Sequence, residues 1–162
     1  MKSVYLCLGG NVGDTRQYLE QAIGLIDSRI GNVTAKSTIY KSEPWGLECD
    51  QWFLNQVVIV ETELEPHAVL ERCLQIEAEL GRTRCGNGYM PRTIDIDIIF
   101  FGNQTINQPD LIVPHLLMHR RNFVLQPLCD VAPDFVHPVF GLTMKQLAAV
   151  CEDKSVVKRL ED

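Results

Sequence analysis

The chain has 162 residues and a formal net charge of -6 at pH 7. Hydrophobic residues make up 46% of the sequence and charged residues 22%, which is typical of a globular protein and excludes a wholly disordered chain. The negative charge argues against general binding to nucleic-acid backbones, and no apolar run approaches membrane-spanning length. We therefore expect a single domain over residues 1–162 in the cytoplasm.

The first predicted elements are a buried strand and an amphipathic helix. Val4 to Leu8 is a short apolar run followed by two glycines, which is typical of a buried strand and a turn. A helix is predicted to begin after Asp14, which can cap it together with Gln17, and to end before Gly31. The segment GGNVGD is also a weak signal for a phosphate-binding loop, although a plain strand-to-helix turn is the stronger interpretation.

Three further strands and a second helix follow. Residues 33–41 and 53–62 are rich in β-branched and aromatic residues and are each predicted to be one strand. A helix is predicted from Pro66 to just before Gly81. The fourth strand is predicted at residues 93–101, where alternation divides the side chains between two faces. One face carries Thr93, Asp95, Asp97, Ile99 and Phe101, and the other carries Ile94, Ile96, Ile98 and Phe100.

This order of elements predicts an α+β fold. Strand, helix, strand, strand, helix, strand is the βαββαβ order of a ferredoxin-like antiparallel sheet with helices packed on one face. A C-terminal extension follows, with a short helix predicted from Thr143 to Cys151. The connections 42–52 and 82–92 are longer than a compact domain needs, which is typical of loops with a function.

Two carboxylates lie side by side on the fourth strand. Asp95 and Asp97 are two residues apart, so their Cα atoms are roughly 6.5 to 7 Å apart in an extended chain. Their oxygens can converge on one or two hard cations such as Mg²⁺. A second interpretation is that the two acids pair with nearby arginines at a solvated sheet edge.

Basic residues flank this acidic pair along the chain. Cations that neutralise phosphate oxygens, beside acids that hold a metal, are the electrostatic set that phosphoryl transfer requires. The sequence has no GxxxxGK[ST] loop, so side chains and metal would hold a nucleotide. The basic residues are Arg82, Arg84, Arg92, His115, His119, Arg120 and Arg121.

Two aromatic rings and one amide are candidates for binding a flat heterocycle. Phe53 and Asn55 share a face at the start of the third strand, and Phe123 follows the basic residues. Such rings can stack on a planar ligand while the amide hydrogen-bonds its edge. Each ring taken alone is more often a core residue, and this interpretation stays open.

The segments PRTIDIDIIFFG and LIVPHLLMHRRNFVLQPLCDVAPDFVHP, preceded by YLCLGGNVGD and FLNQVV, closely resemble the 6-hydroxymethyl-7,8-dihydropterin pyrophosphokinases of folate biosynthesis. The resemblance runs from about Tyr5 to Leu147. It implies transfer of the terminal diphosphoryl group of ATP to the hydroxymethyl oxygen of the pterin, with release of AMP. It also implies two Mg²⁺ ions held by Asp95 and Asp97.

The resemblance implies a role for each of several residues. Catalytic roles are implied for Arg82, Arg92 and Asp97, the last as a possible proton acceptor. The residues implied for nucleotide binding are Glu77, Arg84, Ile98, Leu111, His115 and Arg121. The residues implied for pterin binding are Pro44, Trp45, Gly46, Phe53, Asn55, Tyr89, Asp95 and Phe123. The two long connections correspond to loops that close over the substrates and exclude water, a competing nucleophile.

ATP and the pterin are thus the expected partners. Neither nucleic acid nor membrane is expected to bind, and the protein is expected to be a monomer.

Other functions stay open. An RNA-binding module can share this fold, although the acids on its strands would repel phosphate. A metal-dependent nucleotide hydrolase would use the same metal pair with water as nucleophile. A non-catalytic protein would bind ATP or pterin without turnover.

Overall fold

The structure is a computed structural model that describes residues 1–43, 52–81 and 93–160. Its strands are β1 (Lys2–Gly10), β2 (Asn32–Lys36), β3 (Tyr40–Ser42), β4 (Phe53–Thr62), β5 (Asp95–Phe101), β6 (Ile106–Gln108), β7 (Leu111–Val113) and β8 (Val157–Arg159). Its α-helices are α1 (Thr15–Arg29), α2 (Pro66–Glu79), α3 (Asn122–Val131) and α4 (Met144–Val150). A 3₁₀ turn at Met118–Arg120 precedes α3. No helix in these ranges is long and apolar enough to cross a membrane.

The main sheet is antiparallel and has six strands in the order β5-β1-β4-β3-β8, with β2 pairing with β4 beside β3. Strand β1 lies between β4 and β5 and aligns Gly9 with Asn55 on one side and with Asp95 on the other. Strands β6 and β7 form a separate hairpin. The predicted α+β, ferredoxin-like arrangement is confirmed.

Helices cover both faces of the sheet. One core contains Leu6, Val58 and Ile98 of the sheet together with Ile26 of α1 and Ile76 of α2, so these two helices share a face as predicted. A second core on the opposite face contains the side chains Tyr5, Val57, Phe100, Leu125, Leu128 and Leu147. The C-terminal extension therefore supplies α3 and α4 as a second helical layer.

The predicted starts of three helices are explained by residues at their N-termini. The side chain of Asp14 accepts a hydrogen bond from Gln17 N at 3.2 Å at the start of α1. Pro66 occupies the first turn of α2, where its missing N–H costs nothing. Thr143 and Gln146 form a reciprocal capping box at the start of α4, so the predicted short C-terminal helix is also confirmed.

The prediction of one strand over residues 33–41 is wrong. The structure has β2 and β3 there, separated by residues 37–39, which are outside both strands. Ser37 N donates to Val57 O at 2.8 Å and its Oγ accepts from Val57 N at 3.0 Å, so its side chain replaces a backbone partner of β4. The backbone then leaves the ladder, and Thr38 N donates to Asp130 Oδ2.

The predicted alternation along β5 is wrong at its last two residues. Tyr5 pairs with Phe100 and Leu6 with Ile98, so Ile99 is an extra residue, a β-bulge. As a result Ile99 and Phe100 both lie in the second core, whereas Phe101 lies in the first. The acidic pair precedes the bulge, so Asp95 and Asp97 still share the α3 face of the sheet.

Candidate active site

The acidic pair lies at the start of the edge strand β5. Asp95 is half-buried and Asp97 is exposed, and both border a cleft on the α3 side. They sit opposite Gly9 and Cys7 of β1. The two carboxylates therefore avoid the full desolvation cost that a strand interior would impose, and they remain accessible to a ligand.

The first cleft has a volume of about 170 Å³ and is built by four strands and the start of α3. Its lining residues are Cys7, Gly9, Gly10, Ser42, Phe53, Asn55, Asp95, Asp97, Arg121 and Phe123. The two rings and the amide that were predicted to bind a flat heterocycle thus meet in one cavity with the acidic pair.

Asn55 is a buried amide in the wall of the first cleft. Only 5% of its surface is exposed, and its Nδ2 donates to Ser42 Oγ at 3.4 Å. Its Oδ1 lies so close to Gly9 that a Cβ at Gly9 would overlap it. Because a buried amide needs hydrogen-bond partners, Asn55 is suited to recognise a polar ligand edge.

Arg121 brings a positive charge to the first cleft, and Cys7 is a neutral residue of its wall. The Arg121 guanidinium carbon lies 5.7 Å from the Phe123 ring centroid. Burial raises the pKa of the Cys7 thiol well above its usual value, the charge of Asp97 raises it further and Arg121 opposes both. Cys7 is consequently a neutral wall residue and not a nucleophile.

Sequence reasoning missed Cys7, Gly9, Gly10 and Ser42 as lining residues. Cys7 and Gly9 alternate along β1, as Asp95 and Asp97 do along β5. That shared period becomes informative only when the pairing of the two strands is known.

A second cleft of about 300 Å³ lies along the outer edge of β5, between α2 and the β6–β7 hairpin. Its lining residues are Leu70, Ile96, Asp97, Ile98, Pro109, Asp110, Leu111, Ile112, His115 and Leu116. Three residues predicted to bind nucleotide, Ile98, Leu111 and His115, are brought together here. Asp97 borders both clefts and so links them.

Two hydrogen bonds to nearby backbone groups hold His115 in its orientation. Its backbone N–H donates to Ile99 O at 3.0 Å, and its Nδ1 accepts from Leu117 N at 3.2 Å. Burial lowers the pKa of His115; Asp97 counteracts this and Arg121 adds to it. The neutral ring therefore carries its proton on Nε2, where it can donate to a ligand.

Glu77, predicted to lie near the nucleotide, is buried beside the second cleft. Its Oε2 accepts a hydrogen bond from Ile96 N at 2.7 Å. Among the described residues β5 is the edge strand of the sheet, so Glu77 takes the place of a neighbouring strand as the partner of that backbone N–H. Glu77 thus links α2 to the edge strand that carries Asp97.

Several predicted site residues lie outside the described residues, and the roles predicted for them stay predictions. They are Pro44, Trp45, Gly46, Arg82, Arg84, Tyr89 and Arg92.

The donor set of the acidic pair fits Mg²⁺. Within the described ranges no group of three or more His, Cys, Asp or Glu side chains could hold a metal. Mg²⁺ does not need such a group, because it is commonly held by one or two carboxylates and completed by substrate phosphates and water. Asp95 and Asp97 supply two hard oxygen ligands on one face.

These features define a ferredoxin-like α+β protein whose two clefts meet at one acidic residue. The family model described as 7,8-dihydro-6-hydroxymethylpterin-pyrophosphokinase (HPPK) matches residues 5–133. The chain belongs to this family.

Relatives named 2-amino-4-hydroxy-6-hydroxymethyldihydropteridine pyrophosphokinase agree with this membership. The protein of Methylorubrum extorquens is 40% identical over 162 residues, which are 99% of this chain and 100% of the relative. That of Bacillus subtilis is 44% identical over 128 residues, which are 78% of this chain and 76% of the relative.

Solved structures share the fold. The Plasmodium falciparum HPPK-DHPS structure with pteroate aligns with a TM-score of 0.76 at 17% identity, over 91% of this chain and 44% of that one. An HPPK-DHPS structure in complex with substrates aligns with a TM-score of 0.75 at 18% identity, over 91% of this chain and 43% of that one. The chain thus spans less than half the length of these structures.

Proposed function

We propose that this chain transfers the terminal diphosphoryl group of ATP to the hydroxymethyl oxygen of 6-hydroxymethyl-7,8-dihydropterin and releases AMP, a step of folate biosynthesis. Family membership and the names of the relatives support the reaction class and the pterin acceptor. The observation that carries the proposal is that Asp97 borders both clefts. Transfer requires the reacting atoms of the two substrates to be held close together, and two adjacent clefts that share a charged residue allow this.

The first cleft is the proposed pterin site. Phe53 and Phe123 offer aromatic surfaces to a flat ring, and Asn55 offers an amide to its polar edge. A pterin seated there would bring its hydroxymethyl group toward the acidic pair on the same face.

The second cleft is the proposed nucleotide site. Ile98 and Leu111 provide apolar walls for the base, and His115 can donate from Nε2 to a phosphate oxygen. Arg121, at the start of α3, lies on the pterin side, where a diphosphoryl group would arrive. Arg82, Arg84 and Arg92 are proposed to neutralise phosphate charge.

In the proposed reaction, the hydroxymethyl oxygen forms a bond to the β-phosphorus of ATP. The bond from that phosphorus to the oxygen that bridges it to the α-phosphorus breaks, and this oxygen leaves with AMP. The hydroxyl proton passes to an acceptor. Asp97 is the candidate acceptor because its carboxylate borders both clefts.

Asp95 and Asp97 are the residues that would hold Mg²⁺. When bound, Mg²⁺ neutralises phosphate oxygens and lowers the pKa of a coordinated hydroxyl group. We expect chelation with EDTA to abolish turnover and excess Mg²⁺ to restore it. Full turnover in EDTA would contradict the metal role.

Product analysis tests the proposal. Purified protein is incubated with ATP and Mg²⁺, with and without 6-hydroxymethyl-7,8-dihydropterin, and the nucleotides and pterins are resolved by chromatography. We expect AMP only when pterin is present, in an amount equal to that of a pterin diphosphate. ADP and phosphate formed without pterin would indicate the hydrolase instead, and pterin binding without turnover would indicate a non-catalytic protein.

A further inference from the structure

Residues 152–159, which we call the C-terminal strap, join two walls of the first cleft. The strap lies beyond the residues that the family model matches, 5–133. It runs from the start of α3, which presents Arg121 and Phe123, to the outer edge of β3, which presents Ser42.

At α3 the strap supplies a cap that the helix cannot supply itself. The residue at the N-cap position is Arg121, whose guanidinium has no hydrogen-bond acceptor for the free N–H groups of the first turn. Asp153 Oδ2 accepts from Asn122 N at 2.9 Å instead. Its negative charge also favours the positive end of the helix.

Asp153 is itself held in place. Its Oδ1 accepts from Ser155 N at 2.9 Å and from Ser155 Oγ at 2.5 Å. Desolvation raises the pKa of Asp153, but the hydrogen bonds from Ser155 and Asn122 together bring it below its ordinary value. The carboxylate is thus ionised at neutral pH.

The other end of the strap is fixed to β3. Strand β8 pairs with β3 and aligns Val157 with Ser42. Val156 N donates to Glu43 Oε1 at 3.0 Å, and Glu43 N donates back to Val156 O at 3.2 Å.

Asp153 also borders a cavity of about 600 Å³ with Leu117, Arg120, Arg121 and Phe123.

We propose that Asp153 is a positioning residue for the pterin: by capping α3 from the C-terminal strap, it holds Phe123 and Arg121 in place around the first cleft. This inference rests on the proposed function, because it assumes that the first cleft binds the pterin. The Arg121 side chain lines the first cleft and so does not cap α3. Asp153 provides the missing hydrogen-bond acceptor for Asn122 N.

The test compares Asp153→Ala with Glu152→Ala, a neighbouring acid whose side chain is exposed. For each variant, kcat, KM for the pterin and the pterin Kd from fluorescence are measured. We expect Asp153→Ala to raise the pterin Kd and KM about tenfold, the factor that corresponds to about 1.4 kcal/mol. We expect a smaller change in kcat and no change in Glu152→Ala. Asp153→Asn, which retains one acceptor oxygen, should recover part of the affinity.

A wild-type pterin Kd in folded Asp153→Ala, or a loss of kcat at unchanged KM, would overturn the inference. If Asp153→Ala does not fold, Asp153→Glu decides in the same way, because its longer side chain displaces the carboxylate from Asn122 N. Hydrogen exchange at Asn122 should be faster in either variant. Failure of the wild-type protein to form AMP would instead count against the proposed function.

Discussion

Gly9 is the residue around which the first cleft is arranged. It lies on the central strand β1, opposite Asn55 of β4 and Asp95 of β5. Its missing side chain leaves room for the Asn55 amide between the strands. A single glycine thus separates the amide proposed to hydrogen-bond the pterin from the acid proposed to hold Mg²⁺.

Replacing Gly9 by alanine tests this arrangement. The added Cβ would overlap Asn55 Oδ1 and lie 3.4 Å from Leu54 O, so Asn55 has to move within a packed site. We expect Gly9→Ala to raise the pterin Kd by about tenfold or more and to lower the free energy of unfolding by about 1 to 3 kcal/mol.

The matched control is Gly24→Ala in α1. A Cβ at Gly24 meets no heavy atom of the described residues within 4 Å. Alanine there should leave the pterin Kd unchanged and raise the free energy of unfolding by about 0.5 to 1 kcal/mol. A wild-type pterin Kd in Gly9→Ala would show that Asn55 does not contact the ligand.

At the scale of elements, strand β5 depends on α2 for its outer edge. The buried Glu77 side chain accepts from Ile96 N and so satisfies a backbone group on the outer side of β5, the edge strand in the part of the chain that the structure describes. This bond holds the strand of Asp97 against the helix. It explains why α2 carries a buried glutamate in its apolar stripe.

Two glutamates of α2 are expected to differ in their effect on stability. Glu77→Ala leaves the buried Ile96 N–H without this acceptor and should lower the free energy of unfolding by about 1 to 3 kcal/mol. Glu79→Ala removes a surface pair with Arg29, at 2.8 Å, and should cost about 0 to 1 kcal/mol. Urea denaturation of both variants measures the difference, and equal losses would contradict the role of Glu77.

The sequence predicts elements whose own residues specify them and misses those that depend on partners. Asp14, Pro66 and Thr143 mark helix starts by local chemistry, and β1 and β4 follow from composition. The bulge at Ile99 depends on how β1 pairs, so alternation alone assigns Phe100 to the wrong face. Helix α3 is also missed, because it contains Pro127 and is capped from Asp153, far along the chain.

For the site, the sequence predicts which residues line the clefts better than it predicts how the clefts are arranged. Asp95 and Asp97 are on one face as expected, and Phe53, Asn55 and Phe123 do meet in one cleft. The division into two clefts that share Asp97 requires the hairpin of β6 and β7, which no local pattern indicates.

At the scale of the whole molecule, the segment that follows α3 packs a buried histidine, His137, against the second core. His137 is 3% exposed, and its Nδ1 accepts from Val139 N and Phe140 N, each at 3.1 Å. Its ring stacks on Phe140 with centroids 4.3 Å apart and meets Phe100 edge-on at 5.5 Å. A proton on Nδ1 would break both backbone hydrogen bonds.

Stability should therefore fall in acid. Burial lowers the pKa of His137 below its ordinary 6.5, with a further lowering by His119. The unfolded chain takes up protons first as the pH drops, so this stabilisation is complete above pH 6.5 and is lost as the pH falls through the folded pKa. Urea denaturation between pH 5 and 7.5 measures this slope.

His137→Asn provides the comparison, because asparagine keeps an acceptor near the Nδ1 position but does not titrate. We expect this variant to be less stable at pH 7.5 and to show a shallower loss of stability toward pH 5. The same slope in the variant and the wild type would assign the acid sensitivity to other groups.

Asp97 borders both clefts and is proposed to take part in the transfer between the substrates that they bind. The most direct measurement compares AMP formation and pterin Kd in wild type, Asp97→Asn and the control Asp134→Asn, an acid with an 85% exposed side chain. We predict that Asp97→Asn lowers kcat by about 1,000-fold or more while the pterin still binds, and that Asp134→Asn behaves as wild type. AMP formation in Asp97→Asn within tenfold of the wild-type rate would exclude this role of Asp97.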